Sequence, residues 1–222
     1  MLELATGMVL RTRPLTETSL IVHWITPTAG RLATVAKGAR RPKSPFFGKL
    51  DLFFVADFSF VRSSRSELHN LREVKVRDVH AFLRQEMAYL QQAAYCVRLV
   101  EQATETETPI AAIYELLLSF VDSLAGQACR PEMVLAFELK LLSELGLQPD
   151  LPQTKLSPGA KAVARNFEKA DWAGVLRLRL HPAQQDELGS FLQLFLQSHL
   201  GHVPKGRDHA LDCGKMAGPR NV

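Results

Sequence analysis

The spacing of apolar residues changes once along this chain, near residue 80, and that change limits the fold to two regions of different class. Before residue 80, apolar side chains alternate with polar ones or form short runs rich in Val, Ile, Phe and Thr between turn residues, which is typical of strands. After residue 80 they recur with the period of a helix. The sequence therefore predicts a β region followed by an α region.

The first region contains five candidate strands. A Pro-Thr-Ala-Gly segment at 27–30 joins the second strand to the third, and a serine-rich segment at 63–66 joins the fourth to the fifth, so both connections predict hairpins. Five short strands within this length fit a small closed antiparallel barrel, and the five-stranded OB-fold is the commonest such barrel. We assign residues 1–79 to an OB-fold nucleic-acid-binding domain. The predicted strands are 5–13, 19–26, 30–37, 51–62 and 67–76.

The second region, residues 80–210, predicts an α-helical bundle. Its first helix runs without a Gly or Pro, and later helices begin at Pro109, Pro131 and Pro182, since proline is favoured in the first turn. Gly146 and Gly201 predict helix ends. Residues 211–222 are rich in Gly and charge, which predicts an irregular or disordered tail. The predicted helices are 80–102, 110–124, 132–145, 157–167 and 183–200.

Charge is distributed unevenly along the chain. Residues 1–80 carry 13 Lys and Arg against 7 Asp and Glu, residues 81–150 carry 4 against 10, and residues 151–222 carry 10 against 6. Blocks of one sign create separate fields that attract different partners. Binding of a polyanion is therefore expected at the ends of the chain, and the acidic middle suits internal packing or a basic protein partner.

One segment of the first region combines positive charge with aromatic residues. Residues 37–49 hold five cations and no acid, and two prolines and two glycines predict a loop there. Several cations on one surface neutralise phosphates, and Phe46 and Phe47 could stack on unpaired bases. Core packing is nevertheless the favoured interpretation of both phenylalanines, and also of Trp24 in its apolar strand. The five cations are Lys37, Arg40, Arg41, Lys43 and Lys49.

The sequence lacks the motifs of common catalytic and metal sites. It contains no GxGxxG, GxxxxGK[ST], GxSxG or HExxH pattern and no CxxC pair, so neither an enzyme, a cofactor nor a metal ion is expected. No run reaches the roughly 18 apolar residues of a membrane-spanning helix, and the N-terminal residues mix acids and bases where a signal peptide is apolar. The expected location is the cytoplasm.

Several segments, in the same order along the chain, resemble the RecO family of recombination mediators. In the β region, these are Gly7–Pro14 (GMVLRTRP), Glu17–Leu20 (ETSL), Thr26–Leu32 (TPTAGRL) and Ala36–Arg41 (AKGARR). In the α region, they are Phe137–Leu142 (FELKLL), Glu144–Gly146 (ELG), Pro149–Leu151 (PDL), Leu156–Ala160 (LSPGA) and His199–Gly201 (HLG). Their collinear order covers the chain to about residue 211.

The resemblance implies an OB-fold followed by a helical domain, with no catalytic turnover. Proteins of this family bind single- and double-stranded DNA, anneal complementary strands and act with RecR to place RecA on DNA coated by single-strand-binding protein. Several also bind the acidic, apolar C-terminal tail of that protein. A bacterial, cytoplasmic location follows, at the nucleoid during repair, and a RecR ring is one candidate for the basic partner of the acidic middle.

DNA-contacting residues follow from two sources. The resemblance carries over to the matching basic positions Arg11, Arg13, Lys37, Arg40 and Arg41, whereas Lys43 and Lys49 rest on the charge argument alone. Many family members have a four-cysteine zinc insertion between the positions of Asp150 and Leu156, where this chain has only Leu-Pro-Gln-Thr-Lys. The chain therefore resembles the shorter, zinc-free members.

Two other functions are compatible with the same residues. An OB-fold protein of another system that binds RNA or tRNA would have the same barrel and basic loop. A hydrolase whose catalytic groups converge only in space is a more distant third interpretation. Competition between structured RNA and single-stranded DNA distinguishes an RNA-binding protein from a repair protein. Metal-dependent loss of a labelled DNA would reveal a hydrolase.

Overall fold

A computed structural model describes residues 1–212, so the predicted irregular tail lies outside the described residues from residue 213 onward. The chain divides into two compact units. The first consists of Met1–Ala81 and Thr104–Glu115, and the second of Phe82–Ala103 and the residues from Leu116 onward. The chain passes between the units three times, and the last of these crossings falls within one helix, Ala111–Ser123.

The first unit is a closed five-stranded barrel with the strand order β1-β2-β3-β5-β4. Four of the pairings are antiparallel, and β3 pairs with β5 in parallel. This order confirms the predicted five-stranded barrel and both predicted hairpins. The strands are β1 (Leu2–Pro14), β2 (Leu20–Thr26), β3 (Gly30–Ala36), β4 (Val55–Val61) and β5 (Leu68–Asp78).

Two strands begin more than one residue away from their predicted starts, and barrel closure explains the first difference. β1 begins at Leu2 rather than residue 5 because its first half pairs with β4 and its second half with β2. β4 begins at Val55 rather than residue 51 because the preceding residues form a turn. In that turn Phe53 has a φ of 65°, and its amide donates to the Val9 carbonyl at 2.8 Å.

The barrel interior is built around Trp24, which is fully buried as predicted. Its ring stacks on Phe58 with 4.1 Å between centroids, and its indole nitrogen donates to the Thr34 hydroxyl at 2.9 Å. Phe46, from the β3–β4 connection, packs into the same core. The indole is thereby buried with its one polar atom satisfied, which avoids the cost of an unpaired donor.

Residues 104–115 belong to the barrel unit through hydrogen bonds to three of its residues. The amide of Glu107 donates to the Arg31 carbonyl at 2.8 Å, and Arg31 donates from Nε to the Thr104 hydroxyl at 2.9 Å. The Glu107 carboxylate accepts from Arg62 and bonds to His69, each at 2.7 Å. These contacts give a segment without strand structure a fixed place on the barrel.

The second unit consists mainly of α-helices arranged around one buried helix. That helix is α3, whose residues from Glu132 to Leu139 are all buried. Among residues 1–212 the helices are α1 (Met87–Ala103), α2 (Ala111–Ser123), α3 (Pro131–Glu144), α4 (Pro158–Lys169), α5 (Trp172–Arg177), α6 (Pro182–Leu200) and α7 (Arg207–Leu211). The helical region is thus confirmed, with α5 and α7 in addition to the five predicted helices.

The start of the first helix was predicted too early. The predicted helix begins at residue 80, whereas α1 begins at Met87 after a short 3₁₀ helix, Ala81–Arg84. The reason is His80, which has a φ of 42° and bonds through Nδ1 to the Phe53 carbonyl at 2.6 Å. That left-handed backbone conformation is incompatible with a continuous helix.

A buried ion pair anchors α7 to α3 inside the helical unit. Arg207 donates from Nε and Nη2 to the two carboxylate oxygens of Glu138, at 2.7 and 2.8 Å. The Tyr95 hydroxyl donates to the same carboxylate at 2.5 Å. Burial, together with this neighbouring charge, raises the pKa of Tyr95 far above its ordinary value. The three buried polar side chains thus satisfy one another's hydrogen-bonding capacity.

Candidate nucleic-acid interface

The second half of β1 places two of the predicted cations on the outer surface of the barrel. Arg11 lies opposite His23 of β2, and Arg13 lies opposite Ile21. Successive side chains of a strand point to opposite faces, and Val22 and Trp24 fill the interior. Arg11, Arg13 and His23 consequently share the outer face, where both arginines are exposed.

A third arginine, which is not among the predicted DNA-contacting residues, belongs to this group. Arg31 follows the β2–β3 turn, pairs with Ile25 and alternates with the interior residue Leu32, so it points to the same outer face as His23. Its guanidinium is half-buried and donates to both the hydroxyl and the carbonyl of Thr104. Alternation along the predicted third strand, in which Arg31 precedes the apolar Leu32, was the signal that could have found it. We call Arg11, Arg13 and Arg31, with His23 between them, the arginine face.

His23 is the neutral centre of the arginine face. Burial, and after it the charges of Arg11, Arg13 and Arg31, together lower its pKa to about 4. Its Nε2 atom is buried, and within residues 1–212 it has no hydrogen-bond partner. The positive charge of this surface at neutral pH therefore comes from the three arginines and not from the histidine.

The predicted basic loop folds as a series of tight turns attached to the β1–β2 connection. Along the loop, backbone amides donate to the carbonyl three residues earlier at 3.0 to 3.3 Å. Examples are the bonds from the Ala39 amide to the Ala36 carbonyl and from the Ser44 amide to the Arg41 carbonyl. The amide of Arg40 donates to the Thr18 carbonyl at 3.0 Å. Its guanidinium donates to the carbonyl of Thr16 at 3.2 Å. These bonds hold the loop in place while its cations Lys37, Arg40, Arg41 and Lys43 remain exposed.

Strand register brings part of the predicted set together. Pro14, Leu20 and Ala36 lie side by side at one end of β1, β2 and β3. Arg13 immediately precedes Pro14 and Lys37 immediately follows Ala36, so both lie at this end of the barrel. Arg40 is tethered to the β1–β2 connection at the same end. Arg13, Lys37 and Arg40 thus form one positively charged edge that continues into the arginine face.

Lys49 does not belong to that edge. It lines a groove together with residues of β4, β5 and the first half of β1. The two loop phenylalanines also separate: Phe46 is buried, whereas Phe47 is 75% exposed. Core packing is confirmed for Phe46 and was the wrong prediction for Phe47, because the tight turns that contain both residues direct the two side chains differently.

Between residues 1 and 212, no three His, Cys, Asp or Glu side chains are grouped so that they could hold a metal ion. No helix in the same range has the length and apolar character needed to cross a membrane.

A closed five-stranded barrel of this strand order, followed in the chain by helices, defines a protein of the OB-fold class with an additional helical unit. Comparison with known families agrees with this class. The family model described as recombination protein O N-terminal matches residues 1–80, and the one described as recombination protein O C-terminal matches residues 84–154. The chain belongs to the RecO family of DNA repair proteins, which confirms the resemblance seen in its sequence.

Individual relatives support the same assignment. The DNA repair protein RecO of Symbiobacterium thermophilum is 35% identical over 195 residues, covering 86% of this chain and 74% of the relative. The protein of the same name from Rhodopirellula baltica is 32% identical over 143 residues, covering 64% of this chain and 53% of the relative. That of Alkaliphilus metalliredigens is 32% identical over 146 residues, and the match covers 58% of its length. The chain thus spans little more than half of these last two relatives.

Proposed function

We propose that this protein binds DNA through the arginine face and the basic loop and anneals complementary strands. We also propose that it acts with RecR to place RecA on DNA coated by single-strand-binding protein. The observation that carries the DNA-binding part is the continuous cationic surface of Arg13, Lys37 and Arg40 with the arginine face, on a chain of the RecO family.

The chemistry of this surface suits contact with phosphates rather than with bases. Exposed guanidinium and ammonium groups release counterions when they neutralise phosphates, and this contribution does not depend on base sequence. A protein that anneals any pair of complementary strands needs that independence. Two strands held on the same cations repel each other less, because the cations screen their phosphates, and their bases remain available to pair.

The proposed role is binding without turnover. Positioning two strands requires neither a nucleophile nor a hydrolysed nucleotide, since pairing of complementary bases is itself favourable. The parts played by RecR, RecA and the tail of single-strand-binding protein rest on membership of the family. The exposed acidic positions of the helical unit are the candidate contacts for a basic partner such as a RecR ring.

Annealing of coated strands tests the proposal directly. Complementary oligonucleotides are coated with single-strand-binding protein and mixed with this protein in the absence of ATP, and duplex formation is followed by energy transfer between end labels. We expect duplex to form, and we expect the rate to fall at least several-fold in the Arg13→Ala, Lys37→Ala, Arg40→Ala variant.

Two results would contradict the proposal. In the first, the coated strands stay single in the presence of the intact protein. In the second, structured RNA displaces single-stranded DNA at equal salt, which would favour an RNA-binding protein of another system.

A further inference from the structure

The helical unit has an apolar surface outside its core, on the helix α6. Two sets of apolar residues recur along α6 with the period of a helix. The first set is fully buried, on a helix that packs on α3 and α4, and it consists of Leu188, Leu192 and Leu196. The second set lies on another side of the helix, and it consists of Phe191, Leu194 and Phe195. We call the second set the α6 face.

The α6 face is an ordered surface that reaches solvent. Phe191 and Phe195, one helical turn apart, have 5.6 Å between ring centroids, and the His199 ring stacks on Phe195 at 4.0 Å. Both phenylalanines are partly exposed, and Leu194 is 68% exposed. A helix that is apolar beyond its core-facing side is typical of a helix buried on both sides, because apolar surface in water is unfavourable. The α6 face is therefore suited to a protein partner.

Charge along α6 and just beyond it is divided between the two ends. Residues 182–190 carry two acids and no Lys or Arg, and residues 191–198 carry no charge. Residues 199–205 carry two histidines, one lysine and no acid. One of the acids, Glu187, accepts hydrogen bonds from Ser157 and so acts within the unit. This distribution makes α6 complementary to an antiparallel copy of itself, since each acidic end then meets a basic end.

The charges at the two ends are available to a partner. Asp186 and Lys205 are exposed, and within residues 1–212 neither side chain has a hydrogen-bond or salt-bridge partner. The chain after α6 is fixed beside α1, because Gln102 donates to the Leu200 carbonyl and Arg98 to the Lys205 carbonyl, each at 2.9 Å. Lys205 is thereby held near the C-terminal end of α6.

We propose that the α6 face is a dimerisation surface, on which a second copy of this chain packs its own α6 in the antiparallel direction. A two-fold axis at Leu194 brings the apolar sets of the two copies together. It also directs Asp186 of each copy towards the basic end of the other, where Lys205 lies. Charge favours a copy of this chain over an acidic peptide, since the α6 face is bordered by charges of both signs.

The contact of one pair of helices is small. Stable interfaces bury roughly 1,200–2,000 Å² in total, and smaller ones are typical of weak, transient complexes. We therefore expect a dimer in equilibrium with the monomer at micromolar concentrations.

Dimerisation goes beyond the proposed function and has a consequence for it. A dimer carries two cationic barrels, so each barrel can hold one of the two strands that are to pair. This consequence rests on the proposed annealing, whereas the dimer itself does not. We expect Leu194→Asp to slow annealing severalfold while its affinity for one single strand stays the same.

Sedimentation velocity tests the dimer over protein concentrations from about 1 to 100 μM under reducing conditions. We expect the sedimentation coefficient of the intact protein to rise with concentration and that of Leu194→Asp to stay at the monomer value, because a charge in an apolar contact is unfavourable. Leu4→Asp is the matched control, since Leu4 is 83% exposed on β1 and the same charge is introduced. Its coefficient should rise as in the intact protein. A melting experiment on each variant shows that it is folded.

Charge reversal tests the antiparallel direction. Asp186→Lys makes both ends of α6 basic and Lys205→Asp makes both ends acidic, so we expect each variant alone to dimerise severalfold more weakly. An equal mixture of the two variants should dimerise again, because opposite charges then meet at both ends of the contact. A mixture that stays monomeric, while the intact protein dimerises, would contradict the antiparallel arrangement.

The remaining outcomes separate this inference from the proposed function. An intact protein that is monomeric at every concentration overturns the dimer, and annealing by that monomer leaves the proposed function standing. A dimer that persists in Leu194→Asp, or is lost in Leu4→Asp, overturns the α6 face as its contact. A monomer that binds an acidic apolar peptide, and loses it in Leu194→Asp, reassigns the face to a peptide. An intact dimer that fails to anneal contradicts the proposed function and not the dimer.

Discussion

At the scale of single residues, His23 shows how the barrel tolerates a cluster of positive charge. Its ring occupies the space between Arg11, Arg13 and Arg31 without adding a fourth charge, because burial and the three cations keep it neutral. A protonated side chain at this position would repel all of its neighbours and lack a counter-charge at the centre. The neutral ring thus allows three arginines to share one face.

The neutrality of His23 gives folding stability a defined pH dependence. Its pKa is about 4 in the folded protein and about 6.5 in the unfolded chain, so the unfolded chain binds more protons between these values. Stability therefore rises with pH over that window and is lost as the pH falls through it. We expect His23→Gln to reduce this rise, measured as the free energy of unfolding in urea at pH 4.5 and pH 7.

Other groups also titrate in this range, so a control is needed. His202→Gln replaces an exposed histidine and should leave the rise of the intact protein unchanged. An identical rise in the intact protein and in His23→Gln would show that His23 is not held neutral by its neighbours.

At the scale of elements, the β2–β3 hairpin determines how residues 104–115 pack on the barrel. Gly30 ends the turn with a φ of 66°, and a Cβ atom there would lie 2.0 Å from the carbonyl oxygen of Thr108. Glycine is therefore required twice, for the left-handed conformation and for the close approach of a second backbone. The neighbouring residue Arg31 then joins the segment to the arginine face.

Substitution of Gly30 separates these two requirements. We expect Gly30→Ala to lower the free energy of unfolding by more than the roughly 1 kcal/mol that a left-handed alanine costs, because the added methyl group also collides with the backbone at Thr108. Gly48→Ala is the matched control, since Gly48 has a φ of 69° and open space around it. Equal losses in the two variants, measured by urea unfolding, would contradict the packing described at Thr108.

The elements also show which parts of the fold could be predicted. Strand alternation and turn residues were sufficient for five strands and two hairpins, because both are local properties of the sequence. The start of α1 was missed because His80 takes its conformation from a bond to Phe53, twenty-seven residues away. The exposed position of Phe47 and the role of Arg31 likewise depend on the turn geometry and on strand register.

At the scale of the whole molecule, the blocks of opposite charge along the sequence fold into different secondary structures. The basic first third forms a barrel with cations on an edge, an outer face and a groove, and the acidic middle third contains all of α1, α2 and α3. Composition predicts that a polyanion binds at the two basic ends of the chain, and this stays a prediction. It could not predict that Lys49 would separate from the other loop cations, since that depends on how the loop folds against the barrel.

The salt dependence of binding to single-stranded DNA tests the central claim most directly. Each phosphate contact contributes about −0.7 to the slope of log affinity against log salt, so the Lys37→Ala, Arg40→Ala, Arg41→Ala variant should show a slope flatter by about 2 than the intact protein. The variant Lys155→Ala, Arg165→Ala, Lys169→Ala removes three exposed cations of the helical unit and should keep the original slope. An unchanged slope in the loop variant would contradict the claim that the cations of the basic loop neutralise DNA phosphates.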